Sequence, residues 1–132
     1  MQQEKPQASR KKILIADDEL YVRDMLRAAL EDDYYVIEAK DGEEALEIAS
    51  KQRPALILMD VLLPKLDGIG TCRMLKSEAG TRDILVFMMS GRTDNLDQER
   101  CKAIGAEGYV AKPFDVDELL DKIKFMLGTK QA

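Results

Sequence analysis

Three short runs of uninterrupted apolar residues constrain the fold of this chain more than any other feature. The runs are Ile-Leu-Ile-Ala from Ile13, Ala-Leu-Ile-Leu-Met from Ala55 and Ile-Leu-Val-Phe-Met-Met from Ile84. A continuous apolar run of this length, bounded by turn residues, is typical of a strand that is buried on both faces. Such strands occur in parallel sheets that helices cover on both sides. The runs therefore predict the central strands of a parallel sheet.

Segments with other patterns lie between and after these runs. Glu38 interrupts the apolar residues of 34–39, and 108–111 form a short apolar stretch, so both are predicted as edge strands. Apolar residues at helical spacing predict helices over 22–30 and 69–75. Residues 94–104 are predicted as a helix with few apolar positions, namely Leu96, Ala103 and Ile104. Because such a helix buries little apolar surface, it is expected to shift easily.

Capping residues predict the two remaining helices. Asp41 with Glu44 three residues later opens the second helix, and Asp115 with Glu118 opens the last helix, which Gly128 ends. Five strands that alternate with five helices predict an α/β fold with one parallel sheet.

Composition limits the classes of protein to which the chain can belong. Its 132 residues predict one domain, spanning 11–128 between a disordered polar tail at 1–10 and a short tail at 129–132. A net charge of −5 argues against a nucleic-acid-binding surface. No apolar run reaches the ~20 residues of a membrane span, and the N-terminus lacks the apolar core of a signal peptide. We therefore expect a cytoplasmic protein with no direct nucleic-acid or membrane partner.

Cysteine and histidine usage excludes further chemistry. Cys72 and Cys101 lack the spacing of metal ligands, and the chain has no histidine. Two buried thiols are expected rather than a disulfide. Nucleophilic machinery of the Ser-His or Cys-His kind is excluded.

Polar residues terminate four of the predicted strands. Asp17 and Asp18 end the first strand, Asp60 the third, Ser90 the fourth and Lys112 the fifth. In a doubly wound sheet these strand ends would open on one crevice, where such folds bind ligands. Three carboxylates without histidine or cysteine nearby favour a hard cation, Mg²⁺ with Mn²⁺ as the alternative. A carboxylate beside a metal ion and a lysine suits phosphoryl transfer to an aspartate, with Asp60 as nucleophile.

Each of these residues taken alone also has a simpler interpretation. Asp60 could cap a turn, and Asp17 and Asp18 could cap the first helix. Ser90 could be a turn residue and Lys112 a solvated cation. Only the convergence of the strand ends favours the functional interpretation.

Four motifs together resemble a known family. They are Ile-Leu-Ile-Ala-Asp-Asp-Glu from Ile13, Leu-Ile-Leu-Met-Asp with Leu-Pro-Lys-Leu-Asp-Gly from Leu56, Met-Ser-Gly from Met89, and Gly-Tyr-Val-Ala-Lys-Pro-Phe from Gly108. In this order they resemble the receiver domain of the two-component response regulators, a family that includes the single-domain chemotaxis regulator. The resemblance covers about 11–128 and implies a flavodoxin-like, doubly wound sheet with strand order 2-1-3-4-5.

The resemblance implies a role for each strand-end residue. Asp60 would be the phosphoacceptor, and Mg²⁺ would be held by Asp17, Asp18, Asp60 and the backbone carbonyl of Leu62. Ser90 and Lys112 would bind the phosphoryl group, and Tyr109 would be the aromatic residue that moves inward when Ser90 is drawn to the phosphate. The Lys112–Pro113 peptide bond would be cis. Leu62 and Arg92 would set the rate of dephosphorylation.

The implied function is a phosphorylation-activated signalling switch that catalyses only its own phosphorylation and dephosphorylation. Its donor would be a sensor histidine kinase or a histidine phosphotransfer protein, and its protein target would bind the fourth helix, last strand and fifth helix. The alternatives are a phosphorelay intermediate and a fragment of a larger regulator with a DNA-binding or enzymatic output domain. A metal-dependent phosphatase with an Asp nucleophile is disfavoured, because Leu62 stands where such enzymes place a second carboxylate.

Overall fold

Alternating strands and helices make up the chain, as the sequence predicts. The computed structural model describes residues 10–91 and 95–128. The strands are β1 (Lys12–Ala16), β2 (Tyr35–Ala39), β3 (Leu56–Asp60), β4 (Leu85–Ser90) and β5 (Gly108–Ala111). The helices are α1 (Leu20–Leu30), α2 (Gly42–Gln52), α3 (Gly68–Ser77), α4 (Asn95–Ala103) and α5 (Val116–Leu127).

The five strands form one parallel sheet with the order β2-β1-β3-β4-β5. This is the predicted flavodoxin-like order, and it places the three continuous apolar runs at the centre. All five residues of β3 are buried, whereas β2 and β5 at the edges are only partly buried. The prediction of central and edge strands is confirmed.

Two apolar layers lie on opposite faces of the sheet. Alternate residues of a strand point to opposite faces, so both sets of side chains in the central strands need helical cover. One layer packs the sheet against α2, α3 and α4, and the other packs it against α1 and α5. Cys72 and Cys101 are free and buried in the first layer, as predicted. Burial raises the pKa of the Cys72 thiol to about 11.

The predicted helix caps are present. Asp41 accepts a hydrogen bond from the Glu44 amide at 2.8 Å, and Asp115 accepts one from the Glu118 amide at 3.2 Å. Gly128 ends α5 in the left-handed conformation, with φ of 62°. A further cap, which the sequence analysis missed, starts α3, where Asp67 accepts a hydrogen bond from the Gly70 amide at 2.7 Å.

The buried face of α4 contains an acidic residue beside the predicted buried thiol of Cys101. Ala103 is exposed and Ile104 is only partly buried, whereas Asp97 and Cys101 are buried. Residues four apart share one face of a helix, so Asp97 lies on the face that Cys101 packs into the core. The sheet-facing side of α4 therefore carries a carboxylate.

The predicted tails fall mostly outside the described residues, which exclude 1–9 and 129–132. Arg10, at the end of the predicted N-terminal tail, donates a hydrogen bond to the Glu31 carbonyl at 2.7 Å. Among the helices of the described ranges, none has the length and apolar character needed to cross a bilayer.

Glycines allow the loop after β3 to lie close against its neighbours. A Cβ at Gly68 would come within 2.0 Å of the Asp60 carbonyl oxygen, and a Cβ at Gly42 within 1.9 Å of the Leu66 carbonyl oxygen. The Gly68 amide donates to the Val61 carbonyl at 2.8 Å. Both ends of the loop are therefore held against the end of β3 and the start of α2.

Gly68→Ala is predicted to lower the free energy of unfolding by about 1–3 kcal/mol, the usual cost of forcing an extra methyl group into a packed site. The added methyl would press on backbone, which cannot rotate away. Gly80→Ala is the matched control, because no atom lies within 4 Å of a Cβ built there. Urea denaturation of the two variants and the unchanged protein measures the difference. Equal stability of the Gly68 and Gly80 variants would contradict the close packing of the loop.

Candidate functional site

The register of the sheet brings four strand ends to one edge. Ala16 pairs with Met59, Asp60 with Met89, and Ser90 with Ala111, so the residues that end these strands are neighbours. Backbone hydrogen bonds extend the pairing past the strands, from the Val61 amide to the Met89 carbonyl at 2.8 Å and from the Lys112 amide to the Ser90 carbonyl at 2.7 Å. The convergence of polar strand ends that the sequence predicts is therefore present.

Three carboxylates meet at this edge. Oxygen atoms of Asp17, Asp18 and Asp60 lie within 4.8 Å of one another. Asp17 and Asp60 are buried and Asp18 is exposed, so the cluster opens to solvent on one side. A compact set of carboxylate oxygens, with no nitrogen or sulfur ligand, fits a hard divalent cation such as Mg²⁺.

Lys112 supplies the positive charge of the cluster. Its Nζ lies 2.8 Å from Asp17 Oδ2 and 3.1 Å from Asp60 Oδ2, and Glu19 Oε1 is 3.9 Å away. The family resemblance implies that Lys112 pairs with a phosphoryl group, and in this structure the ammonium pairs with the carboxylates of Asp17 and Asp60. The Lys112–Pro113 peptide bond is cis, as predicted.

The proximity of these charges shifts two pKa values. Burial raises the pKa of Asp60, and the neighbouring Asp17 carboxylate raises it further, against the lowering effect of the Leu62 amide and Lys112. Burial alone would lower the pKa of Lys112, but the hydrogen bond and charge of Asp17, followed by those of Asp60, raise it overall. The lysine is therefore held as an ammonium ion, while burial and the Asp17 charge disfavour the ionised form of Asp60.

The two oxygens of Asp60 have different surroundings. Oδ1 accepts a hydrogen bond from the Leu62 amide at 3.0 Å, and Oδ2 faces Lys112. The turn-capping interpretation of Asp60 is thus correct for one oxygen and leaves the other at the charged cluster. Asp17 does not cap α1 through its side chain, since the N-cap is Glu19, which makes no side-chain cap bond. Instead, the Oδ1 atom of Asp17 accepts a hydrogen bond from the backbone amide of Glu19 at 2.9 Å.

Ser90 is buried at the end of β4 and connects the site to α4. Its Oγ donates to Asp97 Oδ2 at 3.4 Å. Asp97 is not among the residues predicted from the sequence, because an acidic residue in the first turn of a polar helix is usually solvated. The only sequence signal is its position four residues before Cys101, a candidate core residue.

The remaining predicted site residues lie around this centre. Tyr109 on β5 is partly buried and packs against the layer that contains α2, α3 and α4. Leu62, whose amide binds Asp60 Oδ1, is 63% exposed, so the residue two positions after Asp60 presents an apolar side chain to solvent. Arg92 lies outside the described residues.

The geometry agrees with a known domain family. The family model of the response regulator receiver domain matches residues 13–124. The chain belongs to this family. The resemblance inferred from the four motifs is therefore confirmed over nearly the whole predicted domain.

Similar proteins place this receiver domain in several contexts. The chain is 41% identical over 120 residues to a protein of Cyanophora paradoxa named "Probable transcriptional regulator ycf27", covering 90% of this chain and 49% of that protein. It therefore spans about half the length of the curated relatives it matches. The chemotaxis response regulator CheY4 of Vibrio cholerae has a TM-score of 0.83 and 30% identity, with 89% of this chain and 98% of that chain covered.

A third similar protein bears on the acidic cluster. The receiver domain of a sensor histidine kinase from Pseudomonas aeruginosa has a TM-score of 0.84 and 30% identity, with 92% of this chain and all of that chain covered. Its crystal structure has a magnesium ion coordinated in the active-site cleft. The three names describe a probable transcriptional regulator, a chemotaxis response regulator and the receiver domain of a sensor histidine kinase.

The raised pKa of Asp60 predicts a pH-dependent stability effect in protein stripped of divalent metal. A carboxyl whose pKa is higher in the folded than in the unfolded state disfavours folding once it is ionised. This cost is absent below the ordinary value of 3.8 and complete above the folded pKa. In the presence of chelator, Asp60→Asn is therefore expected to raise the free energy of unfolding at about pH 7, with a gain that shrinks toward about pH 4.

Urea denaturation across this pH range measures the gain. Asp121→Asn, at an exposed position of α5, is the control and is expected to show no such pH-dependent gain. A loss of stability in the Asp60 variant at neutral pH would contradict the predicted sign.

Proposed function

We propose that this receiver domain is a phosphorylation-activated signalling switch that takes a phosphoryl group onto Asp60. The observation that carries the proposal is the position of Asp60 Oδ2, beside two other carboxylates and 3.1 Å from the Lys112 ammonium. The donor is a phosphohistidine of a sensor histidine kinase or a histidine phosphotransfer protein. Such a donor implies a cytoplasmic location.

The proposed reaction is a displacement at phosphorus. An Asp60 oxygen forms the new P–O bond while the P–N bond to the donor histidine breaks, and the electron pair returns to the imidazole ring. Lys112, already at the site, balances charge on the phosphoryl oxygens. The buried surroundings disfavour the ionised Asp60 carboxylate, so its nucleophilic form depends on nearby positive charge.

Asp17, Asp18, Asp60 and the Leu62 carbonyl are the proposed ligands of Mg²⁺, with Mn²⁺ as the alternative. The ion, when bound, neutralises the carboxylates and the phosphoryl oxygens. The donor set consists of oxygen atoms only, as a hard cation requires. We infer that phosphorylation depends on this ion.

Apolar residues at the start of α1 support a docking role for a protein donor. Leu20 and Tyr21 are 61% and 71% exposed, directly after the acidic residues that border the cluster. Exposed large apolar side chains beside a reactive centre are suited to contact with a partner. The proposed donor surface therefore includes the first turn of α1.

The proposed output surface consists of α4, β5 and α5. Ser90 and Tyr109 lie on the strands that lead to this surface, and a groove between β5 and α5 is bordered by Tyr109, Phe114 and Lys122. Binding of the phosphoryl group by Ser90 would alter the contacts of β4 with α4. A downstream protein that recognises this surface would respond to phosphorylation.

Two further possibilities concern the context of the switch. A fragment of a larger regulator agrees with the length of ycf27, of which the chain covers 49%. Coverage of 98% of CheY4 agrees equally with a receiver that acts alone.

A relay intermediate would use the same site, passing the phosphoryl group to a second histidine. A phosphatase is disfavoured because the position two residues after Asp60 is leucine rather than a second carboxylate.

Phosphorylation by a small donor such as acetyl phosphate tests the function. The unchanged protein is expected to gain one phosphoryl group in the presence of Mg²⁺ and none in chelator. Asp60→Asn should abolish the labelling, and Asp121→Asn should leave it intact. Continued labelling of the Asp60 variant would place the acceptor elsewhere. Phosphotransfer profiling against the histidine kinases of the source genome then identifies the protein donor.

Leu62→Asn is predicted to shorten the lifetime of the phosphorylated form. An apolar side chain at this exposed position cannot orient an attacking water, whereas an amide can hydrogen-bond it. One such hydrogen bond corresponds to about a two- to tenfold faster hydrolysis. Leu62→Met, which keeps the position apolar, is the control. A lifetime that is unchanged or longer in the Asn variant would contradict the role of Leu62.

A further inference from the structure

Asp97 is a buried carboxylate outside the acidic cluster. It lies in the first turn of α4, 3% exposed, with its Oδ2 3.4 Å from Ser90 Oγ and its Oδ1 3.7 Å from the Arg100 guanidinium. A carboxylate removed from solvent requires hydrogen-bond donors or a counter-charge. Ser90 and Arg100 supply these from opposite directions, one from the sheet and one from the exposed side of α4.

The hydroxyl of Ser90 has one proton to donate. In this structure that proton is directed to Asp97. A phosphoryl group on Asp60 would offer a strong charged acceptor near the end of β4, where Asp60 pairs with Met89. Donation to the phosphoryl oxygen and donation to Asp97 are therefore mutually exclusive.

We propose that Asp97 is a positioning residue that holds Ser90 in the unphosphorylated state and transmits its departure to α4. The inference rests on the proposed phosphorylation of Asp60. It adds that the Asp97 carboxylate competes with the phosphoryl group for the proton of the Ser90 hydroxyl. At 3.4 Å the Ser90–Asp97 bond is long and hence weak, so a phosphoryl group can displace it.

Loss of the hydrogen bond from Ser90 leaves the buried Asp97 carboxylate less well compensated for its lost solvation. The carboxylate is then left buried with one donor fewer, while Arg100, whose side chain is 58% exposed, remains on the solvent side. Moving toward Arg100 and water relieves the desolvation cost. Because Asp97 and Cys101 share the buried face of α4, such a movement requires the helix to rotate or shift.

Binding of beryllofluoride, which mimics a phosphoryl group on a carboxylate, tests the proposal by titration calorimetry in Mg²⁺. If Asp97 holds the unphosphorylated state, Asp97→Ala removes that hold and should tighten binding about two- to fivefold, the worth of one weak hydrogen bond. Asp97→Asn keeps a neutral acceptor and should give a smaller gain. Asp117→Asn is the matched control, since Asp117 is an exposed acidic residue in the first turn of α5.

A double-mutant cycle with Ser90→Ala separates positioning from a general effect on α4. Without the Ser90 hydroxyl, Asp97→Ala should no longer tighten binding, because the two residues act through one bond. The same tightening in both backgrounds, or no tightening with Ser90 present, overturns the proposal. Failure of the unchanged protein to bind beryllofluoride or to be phosphorylated would instead refute the proposed function, so the two failures are distinguishable.

Discussion

The pairing of Lys112 with Asp17 and Asp60 is the interaction on which the functional edge of the sheet depends. Two carboxylates at the ends of adjacent buried strands would repel each other and lose solvation, and the ammonium compensates for both effects. The lysine reaches them because its own amide continues the β4–β5 pairing through the Ser90 carbonyl. The position of β5 is thus tied both to the charge balance at the centre of the sheet and to Ser90.

Packing around this charged edge is uneven. On the side of α2 and α3, glycines bring backbone into direct contact, so the loop after Asp60 has little room to move. On the side of α4, the buried side chains among those that the structure describes are a carboxylate, Asp97, and a thiol, Cys101. A site fixed on one side and weakly packed on the other directs any rearrangement toward α4. This asymmetry agrees with an output surface built from α4, β5 and α5.

The features that could be predicted from the sequence depend on local or periodic signals. Continuous apolar runs identify central strands, and Asp41 and Asp115 identify helix starts, because caps act within one turn. The strand-end residues converge as predicted, since parallel strands end at one edge. The buried face of α4 could not be predicted, because the burial of Asp97 depends on how the helix is rotated against β4. The nearness of Lys112 to the carboxylates was predictable from the shared edge of the strands, whereas its individual distances to Asp17 and Asp60 depend on the strand register.

Charge explains how a change at Asp60 reaches β4. Burial disfavours the ionised form of Asp60, the proposed nucleophile, so positive charge near the unmodified carboxylate is favourable. Phosphorylation would replace one negative charge by about two and place them farther from the strand end. Lys112 would follow that charge outward, and its backbone is bonded to Ser90 at 2.7 Å. The phosphoryl group would therefore act on the end of β4 by two routes, through the backbone of Lys112 and through the Ser90 hydroxyl.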